Sequence, residues 1–503
     1  MSYERARHDS LELRSLASDD RLEDEFSISS PALSSPDALI SEQAHADAIS
    51  LETLENTLSE VGLEDYMRVK RPKKLKYIHG LGLIVGLQIG SGIFASPNQV
   101  SSRAGSPGMA LLVWVVSGVL AWTGASCYAE LGAAIPLNGG TQAYLGEIFG
   151  PLAAFTYTWS TVTILKPGSA AIIALVCGEY LAKGLGINST VAEKVLALTG
   201  LVAIGALNSY SSRSGAQAGK WFLVLKFVLL LFIFVVGLIG ITQYRANSFL
   251  EAGFWADTAP IASTALALYG GLWAYDGWDN LNFVTGEMDN AKRDLPLVIN
   301  SAMPIVIVSY VVVNIMYFGV LSKTEIEQAT SVALTMAYKV LGSPGRVVTS
   351  LAIASSCLGA LNATVFSSGH LIQTAAKERH IPAIFSHYNA KRHTPVNAII
   401  LQTVVSSLYV VVGEFRSLIA FYGSAGYIFY LWSVIGLIVL RFQRPDLPRP
   451  WKVLPTTPLF FSAVALCLVA ATAFAKPIMF LGMVTFILLA VPIYLVKRYF
   501  ALL

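Results

Sequence analysis

Two short runs of small and polar residues interrupt stretches of this chain that are otherwise apolar. The first is Gln88-Ile89-Gly90-Ser91-Gly92, followed by Ile93-Phe94. The second is Trp273-Ala274-Tyr275-Asp276-Gly277, followed by Trp278-Asp279. A helix broken at such a run presents unpaired N–H groups at the start of its second half, which favour an anion. It presents unpaired carbonyls at the end of its first half, which favour a cation. A pair of broken helices therefore offers groups for both ends of a zwitterion without placing a net charge in an apolar medium. Gly90 and Gly92 have no Cβ, so the backbone is expected to come close to a ligand there. The competing reading is a small-residue face for helix packing.

The ionisable residues within apolar segments narrow the chemistry. Near the centre of a bilayer, a carboxylate costs at least about 2.5 kcal/mol unless it is paired or hydrated. Asp276 is therefore expected to face a cavity, as a countercharge for the cationic end of a substrate or as a proton carrier; the alternative is a carboxylate paired with another span. Trp273 lies one turn before Asp276 and fits an aromatic gate over a ligand, or a packed core residue. Lys226 stands alone in Phe222-Leu223-Val224-Leu225-Lys226-Phe227-Val228. Placed near the first break, its ammonium would bond carbonyls that a sodium ion would otherwise coordinate, favouring sodium-independent transport; the alternative is snorkelling to an interface. Lys166 precedes Pro167 and takes no assigned role. Glu130, in Cys127-Tyr128-Ala129-Glu130-Leu131-Gly132, is expected to pair with a basic loop residue.

The elements that must position these groups are membrane helices. The chain is 54% hydrophobic and only 13% charged over 503 residues, about half the charge of a soluble domain. From Ile78 onward, twelve apolar stretches are long enough for a hydrocarbon core about 30 Å thick. They lie near 78–102, 108–135, 150–182, 191–210, 217–243, 259–285, 297–321, 346–376, 396–413, 416–440, 456–475 and 478–496. The expected organisation is a cytosolic, largely disordered tail over 1–76, a ten-helix core over 77–440, and two further helices with a short cytosolic C-terminus over 441–503. Residues 1–67 hold 16 of the 32 acidic residues and no lysine, a composition too polar to fold alone. Within that tail, Ser30-Pro31 and Ser35-Pro36 fit proline-directed phosphorylation, and Leu51, Leu54, Leu58 and Val61 fit a short amphipathic helix. No signal peptide is visible, so the first span is expected to insert as a signal anchor.

With the N-terminus placed inside, 24 of the 35 lysines and arginines fall on the cytosolic side, nine fall outside, and two, Lys166 and Lys226, are within spans. That asymmetry predicts cytosolic N- and C-termini. Asn188-Ser189-Thr190 is a glycosylation sequon in the third loop, on the outer side; Asn362-Ala363-Thr364 matches but lies within a span. Cys127, Cys177, Cys357 and Cys467 lie in apolar stretches without metal-ligand spacing, and read as small buried packing residues. No basic patch with interleaved aromatics suggests nucleic acid. His370 is the deepest histidine and no ligand cluster accompanies it, so neither an enzyme nor a metal or other cofactor is expected.

In lipid, non-helical backbone is tolerated only where protein walls a cavity. Matching breaks in the first and sixth spans point to a midplane substrate site built from two inverted repeats, as in a secondary transporter.

Several motifs together are similar to a known family: Gly90-Ser91-Gly92-Ile93-Phe94, Ala104-Gly105-Ser106-Pro107-Gly108, the run around Glu130, Leu281-Asn282-Phe283-Val284-Thr285-Gly286-Glu287 and Arg293-Asp294-Leu295-Pro296-Leu297. From about Lys74 to Lys497 the chain resembles the L-type amino acid transporters of the amino acid–polyamine–organocation superfamily, as a light-chain-like or fungal-like member. The resemblance implies an all-α fold of twelve helices, with spans 1–5 and 6–10 as inverted repeats of the LeuT type and helices 1 and 6 broken. It implies substrate binding at Gln88, Ile89, Gly90, Ser91 and Gly92 and at Trp273, Ala274, Tyr275, Asp276 and Gly277. Within that set the carboxylate would bond at Ser91 and Gly92, and the ammonium would bond carbonyls near Gln88, Trp273 and Asp276. Trp273 matches the family's gate, Lys226 the lysine at its vacated sodium site, and Asn208 the Asn-x-Tyr segment of span four.

The implied activity is sodium-independent exchange of large neutral, and with Asp276 also cationic, amino acids by alternating access, with amino acid and membrane lipids as partners. A narrower methionine or neutral permease with proton coupling, and a nutrient-sensing receptor, are the alternatives. Family members that pair with a heavy chain use a third-loop cysteine; the loop from Lys183 to Lys194 has none, so no disulfide-linked heavy chain is expected. The plasma membrane is the expected location.

Overall fold

Breaks in the apolar pattern become breaks in helices. The computed structural model describes residues 75–244, 254–255, 259–329, 331–389, 392, 394–413 and 415–500. The expectations for the N-terminal tail lie outside the described residues.

The first apolar stretch forms α1 (Tyr77–Gln88), opens at Ile89 to Ser91, and resumes as α2 (Gly92–Ala95) and α3 (Pro97–Ala104). α4 (Pro107–Ala134) starts with proline at its first position and Ser106 as cap, the Ser106 hydroxyl accepting from the Met109 N–H at 3.4 Å, a strong start signal. After α5 (Thr141–Phe149) and α6 (Pro151–Ser160), the chain widens into a π-helical turn over Thr161–Leu165 before α7 (Lys166–Gly184). Pro167 causes this: it has no N–H, and its ring would press on the carbonyl four residues back. That carbonyl belongs to Thr163, and it accepts instead from the Tyr409 hydroxyl at 3.1 Å.

α8 (Thr190–Tyr210) and α9 (Ser212–Gln243) follow, then α10 (Ile261–Ala274), a non-helical stretch, and a 3-10 turn over Asn280–Glu287. Next come α11 (Ala291–Val320), the short α12 (Lys323–Gln328) and α13 (Val332–Lys377). α13 bends at Gly342, whose φ is +67°, a conformation suited to glycine. α14 (Val396–Val412), α15 (Phe415–Gln443), α16 (Thr456–Ala475), α17 (Pro477–Leu488) and α18 (Ala490–Phe500) complete the chain.

The described residues form an all-α polytopic membrane protein. Ten helical segments among them are long and apolar enough to cross a bilayer. Of the twelve expected spans, the sixth and ninth fall short of that length: α10 has 14 residues and α14 has 17. The eighth starts earlier than the expected 346, at Val332, because the Gly342 bend joins a preceding helix to the span.

Two groups of helices carry the core. In the first, α11 packs on α1 and α4, and α4 packs on α10; in the second, α7, α8, α13 and α14 all pack on one another. Both broken segments belong to the first group, and α13 and α9 press on α1 from the side. The backbone ahead of α1 is also tied to the second broken segment: Leu75 N–H donates to the Glu287 carbonyl, and Asp289 N–H to the Leu75 carbonyl, both at 3.1 Å. Three cysteines are buried, as expected. Cys467 is exposed, because α16 lies at the periphery and turns much of its apolar surface outward.

Candidate substrate site

The two breaks are built into each other. At the first, Ile89 leaves the helix with φ −74° and ψ 66°, and Gly90 N–H turns back to the Gln88 carbonyl at 2.7 Å. At the second, α10 stops at Tyr275, and Gly277 takes φ +102°, which a side chain would strain. The Gln88 side chain donates its amide to the Tyr275 carbonyl at 2.7 Å. The Tyr310 hydroxyl, on α11, sits between the Gln88 carbonyl and the Ala274 carbonyl, 3.0 Å from the latter. The carbonyls opened at the two breaks thus find donors in side chains packed against them, as an apolar medium demands.

Lys226 reaches the first break from α9. It is fully buried, and its ammonium donates to the carbonyls of Ile89 and Ser356, each at 2.5 Å. The Ser356 hydroxyl donates to the same Ile89 carbonyl at 2.9 Å. Lys226 therefore reaches inward rather than snorkelling.

A cavity opens where the breaks meet. Gln88, Ser91 and Gly92 line it from one side, Trp273, Ala274 and Asp276 from the other. Among the described residues, no acceptor faces the backbone N–H of Ser91, Gly92 or Ile93. These donors head α2 and form the positive end of a helix. Asp276 brings a carboxylate to the opposite wall, where its Oδ1 accepts from the Tyr430 hydroxyl at 3.0 Å. The Gln88 carbonyl accepts twice, from Gly90 N–H and from the Tyr310 hydroxyl, whereas the carbonyls of Ala274 and Tyr275 accept one hydrogen bond each, leaving each its second lone pair.

Not every residue expected at the site reaches it. Ile89, Gly90, Tyr275 and Gly277 are absent from the cavity wall. The Tyr275 ring is fully buried, tilted 38° against Tyr310 with centroids 4.7 Å apart, and edge-on to Trp114. The glycines also act differently from the expectation of room for a ligand. A Cβ on Gly90 would lie 2.7 Å from the Ala360 Cβ, and one on Gly92 would lie 2.6 Å from the Ala274 Cα. Their missing side chains let protein approach protein.

Leu87 lines the cavity, as do Ser169, Ile172 and Ile173 on α7, none of which the sequence reading singled out.

The remaining candidates sit elsewhere. Glu130 is fully buried and forms a forked pair with Arg441, in the last turn of α15, at 2.9 and 2.6 Å, while accepting from Val453 N–H at 2.8 Å. Asn208 joins α8 to α13, donating to the Asn362 side chain at 2.9 Å. His370 pairs with Glu287 at 2.9 Å. Among the described residues, no group of three His, Cys, Asp or Glu side chains is placed to hold a metal ion.

The amino acid permease family model matches residues 75–496. The human b(0,+)-type amino acid transporter 1 is 37% identical over 408 residues, covering 80% of this chain and 83% of the relative. The human cystine/glutamate transporter is 35% identical over 413 residues, covering 82% of each. The mouse large neutral amino acids transporter small subunit 2 is 33% identical over 439 residues, covering 85% of this chain and 81% of the relative.

Proposed function

The chain belongs to the amino acid permease family, among the L-type amino acid transporters, and on that premise we propose that it exchanges neutral and cationic amino acids across a membrane, independently of sodium. The observation that carries this is a cavity lined by Asp276 on one wall and, on the other, by Ser91 and Gly92, whose N–H groups meet no acceptor among the described residues. The N–H groups suit the substrate carboxylate. Asp276 suits a cationic side chain, and Trp273 closes over the bound molecule. Lys226 occupies the Ile89 carbonyl, which supports its standing in for a sodium ion.

Counting the broken sixth segment and α14 as crossings gives twelve spans, with both termini cytosolic and the plasma membrane as the location. Residues 1–76 form the tail, 77–440 the transport core and 441–503 the last two helices. The absence of cysteine between Lys183 and Lys194 supports function without a disulfide-linked heavy chain. A high-mass species on a non-reducing gel that collapses on reduction would overturn that point.

The test of the function is uptake of labelled leucine by purified protein in sodium-free vesicles, challenged with each amino acid, with and without internal substrate. Uptake that needs internal amino acid and is inhibited by arginine is expected. Uptake into empty vesicles, inhibited by neutral side chains alone, overturns both exchange and the cationic substrate. Asp276→Asn is expected to weaken arginine selectively and spare leucine; equal loss of both makes Asp276 structural or a proton carrier.

A further inference from the structure

Behind the Asp276 wall, two further buried ionic residues, Lys166 and Asp279, join Asp276 in one group without lining the cavity themselves. Lys166 opens α7 directly after the π-helical turn and is 7% exposed. Its ammonium lies 3.4 Å from the Asn280 side-chain oxygen and 4.0 Å over the Phe283 ring. Asn280 is held in place by the Ser367 hydroxyl, which donates to the same oxygen at 2.7 Å. The same Asn280 side chain reaches a carboxylate, its amide nitrogen donating to the Asp279 Oδ1 at 3.4 Å. Asp279 is 4% exposed. Tyr430, whose hydroxyl donates to Asp276, also reaches Asp279. From the cavity wall inward, Asp276 accepts from Tyr430, and behind them Asp279 is joined to Lys166 through Asn280.

Among the described residues, this group comprises two carboxylates and one ammonium. A buried charge without a counterion is costly, and the cost is felt over several ångströms in a medium of low dielectric. Lys166 cancels one of the two negative charges, leaving a single one for the cavity to satisfy.

We propose that Lys166, held beside Asp279, fixes the net charge behind the site and thereby sets how strongly the cavity favours a cationic over a neutral side chain. This rests on the amino acid exchange proposed above. Lys166 acts through Asp279 and is a positioning residue: it sets a potential and touches no substrate. Losing the ammonium leaves two negative charges and favours arginine; losing Asp279 leaves none and favours leucine. Losing both restores the original sum.

The experiment compares initial rates of arginine and leucine uptake by the full chain in vesicles, as the ratio of the two kcat/KM values. Lys166→Arg keeps the charge and is expected to keep the ratio. Lys166→Gln is expected to raise it about tenfold and Asp279→Asn to lower it about tenfold, the change one nearby charge makes in such a site. The double variant is expected to return to within about twofold of wild type. If wild type takes leucine alone, Lys166→Gln is expected to admit arginine.

A ratio unmoved in either single variant that still transports overturns the proposal, as does equal loss of both substrates that the double variant does not rescue. Where Lys166→Gln fails to fold, Asp279→Asn decides through ligand-induced thermal shifts with arginine and leucine: a smaller arginine shift supports the proposal and unchanged relative shifts overturn it. Wild-type protein that transports neither substrate refutes the functional reading itself, an outcome distinct from an unmoved ratio in active protein.

Discussion

Lys226 on α9 donates to the backbone carbonyl of Ile89 at the break in the first membrane segment, 137 residues away in the chain. Hydrogen bonds from a charged donor contribute about 1.5–3 kcal/mol each. Lys226→Met is expected to lower stability by about that amount and to cut uptake at least about tenfold, since the Ile89 carbonyl keeps only the Ser356 hydroxyl. Ser356→Ala should cost less, about 1 kcal/mol. Thermal unfolding in detergent alongside vesicle uptake checks both, and wild-type uptake by Lys226→Met would refute the assignment.

Gly92 and Gly86 lie within one apolar stretch but meet different surroundings. A Cβ at Gly92 would lie 2.6 Å from the Ala274 Cα, whereas one at Gly86 would find nothing within 4 Å. Gly92→Ala is therefore expected to push the two broken segments apart, at about 1–3 kcal/mol, and to abolish uptake. Gly86→Ala is expected to be tolerated. Uptake normalised to the amount of folded protein in vesicles separates the two outcomes.

Glu130 holds α4 to α15 and to the segment at Val453 with no exposed surface. Removing one partner of such a pair leaves the other buried and uncompensated, at about 3–5 kcal/mol. Glu130→Gln should lower the unfolding temperature sharply while leaving the arginine-to-leucine preference of the surviving protein unchanged. A shift in that preference would mean that Glu130 contributes to substrate selection.

His380 lies just beyond the end of α13, with Nδ1 3.3 Å from the Thr158 hydroxyl and 3.4 Å from the Gln142 amide nitrogen. Burial, and then Lys497, push its pKa from 6.5 down to about 4. The folded protein thus keeps the imidazole neutral where the unfolded chain would protonate it. Stability is held above pH 6.5 and falls as pH drops toward about 4, by up to roughly 3 kcal/mol. Melting between pH 7.5 and 4.5 should show a steeper fall for wild type than for His380→Gln; parallel curves would remove His380 as the cause.

Much of the architecture was legible because membranes impose simple rules. Glycine, serine and aspartate within apolar runs marked the breaks at Ile89 and Tyr275, since lipid tolerates open backbone only at a protein-lined site. The lone Lys226 announced a partner for the same reason. What stayed hidden depends on contacts between distant segments. Nothing local says that Ala360 and Ala274, rather than a ligand, fill the space left by Gly90 and Gly92. The direction in which Tyr275 points is set by α11 and α4, through Tyr310 and Trp114. Ser169, Ile172 and Ile173 reach the cavity because of where the π-helical turn aims α7. Periodicity alone does not report that aim.

The Tyr310 hydroxyl has one proton and two carbonyls to serve, at Gln88 and at Ala274, while the Gln88 side chain grips Tyr275 in return. Neither broken segment can straighten or swing away without orphaning polar atoms of the other. The pair behaves as an interlock: the joints at Gln88 and Tyr275 travel together or stay put.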